Sequence, residues 1–457
     1  MGVYVKQQSK NNNDHVDQGP PGTAVVSCAT WRAVPLEFDA KQLLRKQPNV
    51  VALAQSSDPA EEVKKLTDTE KTKVMEDIWK ILKTDPRSEH RIALRHILRD
   101  ITRSTRHLPK AYVLKDVVYQ QDSNHATLYN GSAAMVFYGL LEHKVPVALK
   151  QFYTTEENLD EMIHSDAVLW STLSHPNILP IIGTAELRHI RSTVDRVLVM
   201  PWIENRSIIV QLQYFENTLH AKPPLSQWLT EVVSGLEYLH QEGIVHGSLR
   251  LSNIMIDDEN HVKLMDYGTE KYIERDESVY ERAVRREPRL WYPPEQYLSH
   301  HEHEFEPTTA SDIYGFGCIW LALHSRRAPW ADHRNASKAQ REGVVLSMPK
   351  KGLKPGHALE EIQSQEVVGL VQKCLSLDPS ERPGTSELYR IAKFDTLWIR
   401  ELYPYPRGAQ PEPQPKRIPF KAPSLLQLSL LRIRSSLSGF RDAVYSFIGT
   451  TPPERSP

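Results

Sequence analysis

The feature that most limits the fold is a change of hydrophobic period at Pro201. Before it, short apolar runs at 111–119, 135–140, 147–152, 178–182 and 197–200 are separated by turn-rich sequence, the pattern of strands. One helical stretch, 156–173, interrupts them. After Pro201, residues 225–240, 312–324 and 364–375 carry apolar side chains at the period of a helix. Both patterns fit an α+β, two-lobed architecture: a small five-stranded β lobe with one helix (108–200), then a larger, mainly α lobe (203–400), with a cleft between them. No repeat with a period of roughly 20 to 50 residues is visible, which removes solenoids and propellers.

The flanks differ in character. Residues 1–60 mix Asn, Gln, Pro and Gly without a sustained period and read as a disordered arm. Residues 61–107 form a helical N-terminal extension. Val63, Leu66, Val74, Ile78 and Ile81 define its first helix, which stops at Asp85-Pro86. Ser88 is placed to cap a second helix, in which Leu94, Ile97, Leu98 and Ile101 make an apolar stripe while the Arg and His between them face water. A Pro-rich linker, 401–423, leads to an amphipathic helix at 424–449 with a seam at Leu426, Leu430, Ile433, Leu437, Phe440, Val444 and Phe447. That seam suits docking on the helical lobe, pairing with another helix, or weak contact with an anionic membrane surface.

Charge and cysteine usage exclude several classes. Fifty-six Lys and Arg against 57 Asp and Glu leave a net charge of −1, so nothing points to nucleic acid as a partner. With 40% hydrophobic residues and no apolar run near the roughly 18 residues of a membrane span, the chain reads as soluble. Cys28, Cys318 and Cys374 are scattered and odd in number, which suits a reducing compartment. The sequence shows no signal-peptide pattern, so cytoplasm is the default location and the nucleus is also open to it.

Eight short motifs stand in order between 108 and 400: Val147-Ala148-Leu149-Lys150, His175-Pro176-Asn177-Ile178, His246-Gly247-Ser248-Leu249, Asn253, Asp266-Tyr267-Gly268, Pro294-Glu295, Ser311-Asp312 and Arg382. On these the region resembles a eukaryotic protein kinase domain of the tyrosine-kinase-like group. The resemblance implies ATP and magnesium as ligands. Lys150, a cation ending an apolar strand, would reach the α and β phosphates, with Asp166 as its helical partner where the family carries Glu. Asn253 and Asp266 supply the oxygen ligands the family uses for magnesium. Val136, Ala148 and Met255 match the residues that sandwich adenine, and Met200, Pro201 and Trp202 match the gate and hinge. In the glycine-rich loop Tyr129, Gly131 and Ala134 occupy the three glycine positions, so only Gly131 is retained. The resemblance also makes Asp312 a brace for the catalytic loop and Glu295 with Arg382 a buried ion pair.

The central departure is Ser248, which stands where the family pattern H-x-D-L-x-x-x-N has its aspartate. A neutral hydroxyl cannot accept the substrate proton as a carboxylate does, and losing such a base typically costs about 10²- to 10⁴-fold. Gly247 likewise replaces the arginine that pairs with an activation-loop phosphate in many kinases. Arg250 in the same loop completes the candidate catalytic set with Ser248 and Lys150. Asp257, Asp258 and Glu259 follow a strand and are expected at its far turn, where they cannot restore the base. The expectation is therefore an ATP-binding pseudokinase that acts as a signalling scaffold or allosteric partner for unidentified proteins. Two alternatives are a weakly active Ser/Thr kinase and a nucleotide-free interaction module.

Overall fold

The structure, a computed structural model, describes residues 48–85, 88–119, 129–130, 134–153, 157–191, 193–204, 207–219, 223–269, 291–298, 306–325 and 365–394. The seam at 424–449, Gly131 of the glycine-rich loop and Cys28 lie outside these residues. The chain divides into two compact units. Of the described residues, the first holds those up to 204 together with Ile256–Met265, and the second holds the others.

The first unit opens with four helices: α1 (Pro48–Gln55), α2 (Pro59–Lys64), α3 (Asp68–Thr84) and α4 (Arg91–Thr105). Helical structure thus begins earlier than the sequence patterning suggested, inside the stretch read as an arm. Val50 and Leu53 of α1 are buried, and that burial stabilises a segment whose own periodicity is short. A capping box starts α3: Glu70 N donates to Thr67 Oγ1, and Thr67 N donates to Glu70 Oε2 at 2.9 Å. Val74, Met75, Ile78, Ile81 and Leu82 then line one buried face. In α4 the stripe Leu94, Ile97, Leu98 and Ile101 is buried as its spacing predicts.

Two details of α4 differ from expectation. Ser88 does not cap it: His90 stands at the cap without a side-chain bond, and the Ser88 carbonyl accepts from Arg91 N at 3.0 Å. Arg95, assigned to water, is 1% exposed. Its guanidinium hydrogen-bonds Thr172, which satisfies the buried charge in a way that periodicity alone does not reveal.

The sheet follows, with strand order β1-β3-β4-β6-β5 and β2 paired to β3. Its strands are β1 (Val117–Tyr119), β2 (Tyr129–Asn130), β3 (Ala134–Leu141), β4 (Val145–Phe152), β5 (Gly183–Arg191) and β6 (Thr193–Pro201). Every named pairing is antiparallel. The run 178–182 is extended rather than a sheet strand: Ile178 bridges Leu264, and the paired strand begins at Gly183. Helix α5 (Glu157–Trp170) crosses from β4 toward β5 in sequence and packs against α4.

Alternation along the strands separates two faces. Met135, Phe137, Val147, Leu149, Val197 and Val199 point into one apolar core with Ile182, Ala185 and Leu187. Val136, Ala148, Lys150 and Met200 are on the other face.

The second unit is helical: α6 (Ile208–Tyr214), α7 (Leu225–Gln241), α8 (Pro294–Leu298), α9 (Thr309–Ser325), α10 (Gln365–Cys374) and α11 (Thr385–Phe394). In sequence the catalytic-loop segment is followed by a short hairpin, β7 (Ile254–Ile256) with β8 (Val262–Leu264), whose residues from Ile256 onward belong to the first unit. Trp228, Leu229, Val232, Val233 and Leu236 of α7, with Phe316, Ile319 and Trp320 of α9, are almost wholly buried and form the core of this unit. Cys318 and Cys374 are buried free thiols, their pKa values pushed up by burial, so neither is a reactive site. Among the described residues no helix is long and apolar enough to cross a membrane.

Candidate nucleotide and catalytic-loop site

Lys150 sits near the end of β4, opposite Val136 on β3 and Leu198 on β6. Ala148, two residues back, stands opposite Tyr138 and Met200. Cross-strand partners share a face, so the register brings Val136, Ala148, Lys150 and Met200 to one side of the sheet. Lys150 is 6% exposed and its Nζ lies 5.0 Å from the centre of the Phe152 ring, a cation held over a π face. Trp202 follows β6 half-buried; it packs edge-on against Tyr138 and its indole N–H donates to Glu204 Oε2 at 2.7 Å.

Asp166, on α5, has a side chain only 4% exposed and accepts a 2.7 Å bond from Arg103 Nη2. Sequence reasoning did not single out Arg103. The signal was present: Arg95, Arg99 and Arg103 recur every four residues along α4, a cationic row beside the apolar stripe.

In the helical unit the catalytic-loop segment is held from below by α9. Asp312, 2% exposed, accepts from His246 N and Gly247 N at 2.8 Å each, and its Oδ2 also lies 2.8 Å from His240 Nε2. The brace expected of Asp312 is thus present, while the start of α9 is closed by Thr308 and Ser311, whose side chains and backbone N–H groups bond reciprocally. Gly315 allows close approach: a Cβ there would stand 2.9 Å from the Leu249 carbonyl oxygen. Gly247 has φ +77°, a conformation glycine takes without strain. His246 is buried, which lowers its pKa and keeps the imidazole neutral; its ring packs edge-on to Tyr267.

Ser248 is 5% exposed. Asn253 Nδ2 donates to the Ser248 carbonyl at 2.8 Å and approaches its Oγ at 3.4 Å. Commitment of the amide nitrogen to Ser248 leaves Asn253 Oδ1 as the atom able to ligate a cation. Asp266 adopts φ +62°, a left-handed conformation uncommon for a non-glycine residue and typical of functional sites. Gly268 N bonds the His246 carbonyl at 2.8 Å, which ties this turn to the catalytic loop. One amide oxygen and one carboxylate are hard donors, a set that fits magnesium sharing its remaining positions with phosphate and water. Among the described residues no group of three or more His, Cys, Asp or Glu is arranged to hold a metal. A shallow cleft beside Ser248 is lined by Gly247, Arg250, Trp291, Tyr292 and Gln296. Met255 is half-buried on β7 and bridges Ser207.

The acidic residues after Asn253 serve the hairpin turn. Asp257 Oδ1 accepts from Glu259 N and His261 N, and its other oxygen lies 3.2 Å from Lys263 Nζ. Glu295 and Arg382 form the expected pair, bidentate at 2.7 Å on both arms, with the Arg382 side chain wholly buried.

The protein kinase domain family matches residues 123–392, and the chain belongs to that family. It is 26% identical over 55% of its length to mitogen-activated protein kinase kinase kinase 3 of Arabidopsis thaliana, covering 34% of that protein. It is 26% identical over 54% of its length to the epidermal growth factor receptor of Apis mellifera, covering 18%, and 23% identical over 60% to mitogen-activated protein kinase kinase kinase dlk-1 of Caenorhabditis briggsae, covering 28%. The chain thus spans about a third of the length of these relatives or less.

Proposed function

We propose that the chain is a pseudokinase of the tyrosine-kinase-like group that binds ATP and magnesium and acts as a signalling scaffold or allosteric partner for other proteins. Lys150 would hold the α and β phosphates, Asn253 and Asp266 the magnesium, and Val136, Ala148, Met200 and Met255 the base, with Trp202 at the hinge. The single observation that carries the reading is Ser248: a hydroxyl occupies the base position inside a loop whose framework, Asp312 and Asn253, is otherwise in place. Its ordinary pKa lies far above neutrality, so it cannot take the substrate proton as a carboxylate would. ATP that fills such a site without turning over would act as a ligand that shifts a conformational equilibrium.

The same framework favours one alternative, a weakly active Ser/Thr kinase. Phosphoryl transfer leans more on positioning and electrostatics than on the base, and Arg250 remains in the loop. Phosphate transfer from ATP by the native chain, a Ser248→Asp restoration and a Lys150→Ala control separates the two. Silence in the native chain with activity gained by Ser248→Asp supports the pseudokinase. Native activity that disappears with Lys150→Ala overturns it.

A further inference from the structure

The helix that carries Asp166 is gripped along its length by cations from the N-terminal helices. Arg106 Nε lies 3.1 Å from Glu161 Oε2, and Arg103 Nη2 lies 2.7 Å from Asp166 Oδ1. At the C-terminal end Lys83 Nζ donates to the Ser171 carbonyl at 2.9 Å, and Arg95 Nε to Thr172 Oγ1 at 2.9 Å. Cations at a helix C-terminus satisfy its last carbonyls and oppose the negative end of its dipole. Beneath these contacts run the buried Leu94, Ile97, Leu98 and Ile101 of α4. None of the four cations falls within the 123–392 stretch that matches the kinase family.

We propose that Arg103 is a positioning residue for the nucleotide site: it orients the Asp166 carboxylate toward Lys150 and so makes the N-terminal helices a working part of ATP binding. The inference rests on the nucleotide reading above. Aspartate at this position is one methylene shorter than the family's glutamate, so its reach depends on how the helix and the carboxylate are held. A carboxylate has two oxygens and about four acceptor sites. Arg103 engages Oδ1. Both Asp166 and Lys150 are buried in the same unit, where a charge is tolerated only if it is paired. Removing Arg103 takes away its 2.7 Å bond to the carboxylate while leaving Lys150 and α5 in the chain.

Calorimetric titration of ATP with magnesium into the full chain tests this. Arg103→Gln should weaken ATP about tenfold, the loss of one charge-assisted hydrogen bond. Arg103→Lys, which keeps the charge but not the fork, should weaken it by about threefold and serves where the glutamine variant does not fold. Arg106→Gln, on the exposed Glu161 pair, should leave affinity unchanged. In an Asp166→Asn background Arg103→Gln should no longer matter, whereas a purely structural contribution would persist there. Native-like affinity in both Arg103 variants, or an undiminished effect in the Asp166→Asn background, overturns the inference alone. If the native chain itself takes up no ATP, the nucleotide reading falls first and this inference falls with it.

Discussion

Around Ser248 the loop is braced from within the family match and the side chain is a neutral hydroxyl; around Asp166 the side chain is a buried carboxylate and the support comes from outside that match. In the catalytic loop Asp312 still receives two backbone N–H groups, and Gly315 still lets the loop lie on α9. On α5, by contrast, the Asp166 carboxylate is paired with Arg103, which comes from a helix that precedes the kinase match. The contrast teaches that scaffold and chemistry are separable. The loop keeps its shape through bonds to backbone groups, that of Ser248 included, rather than through the Ser248 side chain, so the side chain can change at little structural cost. A buried carboxylate cannot be treated that way, because its charge demands a partner wherever one can be found.

The sharpest way to break this contrast is Asp312→Ala. It strips the acceptor from one buried and one part-buried backbone donor and from His240, and should destabilise the chain by about 3 to 5 kcal/mol in urea unfolding. An effect below about 1 kcal/mol would mean that the loop is held by something else. Next in size is Leu98→Ala in α4, at a wholly buried position, with about 2 to 4 kcal/mol expected. If α4 is an integral part of the sheet-bearing unit, the variant shifts a single transition shared with Lys150. A separate early transition for 48–105 would show an independent module.

Arg95→Ala, which removes the bond to Thr172, should cost about 1.5 to 3 kcal/mol and leave the helical unit's hydrogen-exchange protection unchanged. Ser248→Ala should lie within about 0.5 kcal/mol of the native chain in urea unfolding, because the 2.8 Å bond from Asn253 goes to the Ser248 backbone carbonyl and not to its hydroxyl.

The acid range gives a subtler test. Burial, then the charges of Asp257, Glu204 and Glu259, push the Asp258 carboxyl up from its ordinary 3.8 to about 6. Between those values the folded chain keeps a proton that the unfolded chain has lost, so this group's contribution falls as pH rises. Burial, then the Lys263 charge, push His175 down from 6.5 to about 4. There the unfolded chain holds the extra proton, so stability rises with pH. The two slopes oppose one another in the native chain. Asp258→Asn should leave the His175 rise uncovered, seen as a steeper increase in melting temperature from pH 4 to 6.5. An unchanged slope would show that Asp258 titrates normally.

Much of this organisation was legible in the sequence. The sequence resemblance named Val136, Ala148 and Lys150 one by one, and the pairing of β3 with β4 that sets Val136 opposite Lys150 is a register only the structure supplies. The acidic cluster after Asn253 was placed correctly at the hairpin turn. The run 178–182 was not: its apolar residues are buried in an extended segment, and composition does not distinguish that from a paired strand. The start of helix α1 was hidden for a related reason, since an eight-residue helix is stabilised by what it packs on rather than by its own propensity.

By itself, then, the sequence determined the change of period at Pro201, the order of the motifs and the serine at position 248, all of which are local or fixed by spacing. Only the tertiary structure decided which side chains meet. Arg103 and Asp166 are 63 residues apart, and Arg95 and Thr172 are 77 apart. The period of a helix fixes which side of it a residue occupies. It does not fix the partner of a long, flexible guanidinium, which is chosen by the buried acceptor that packing brings within reach.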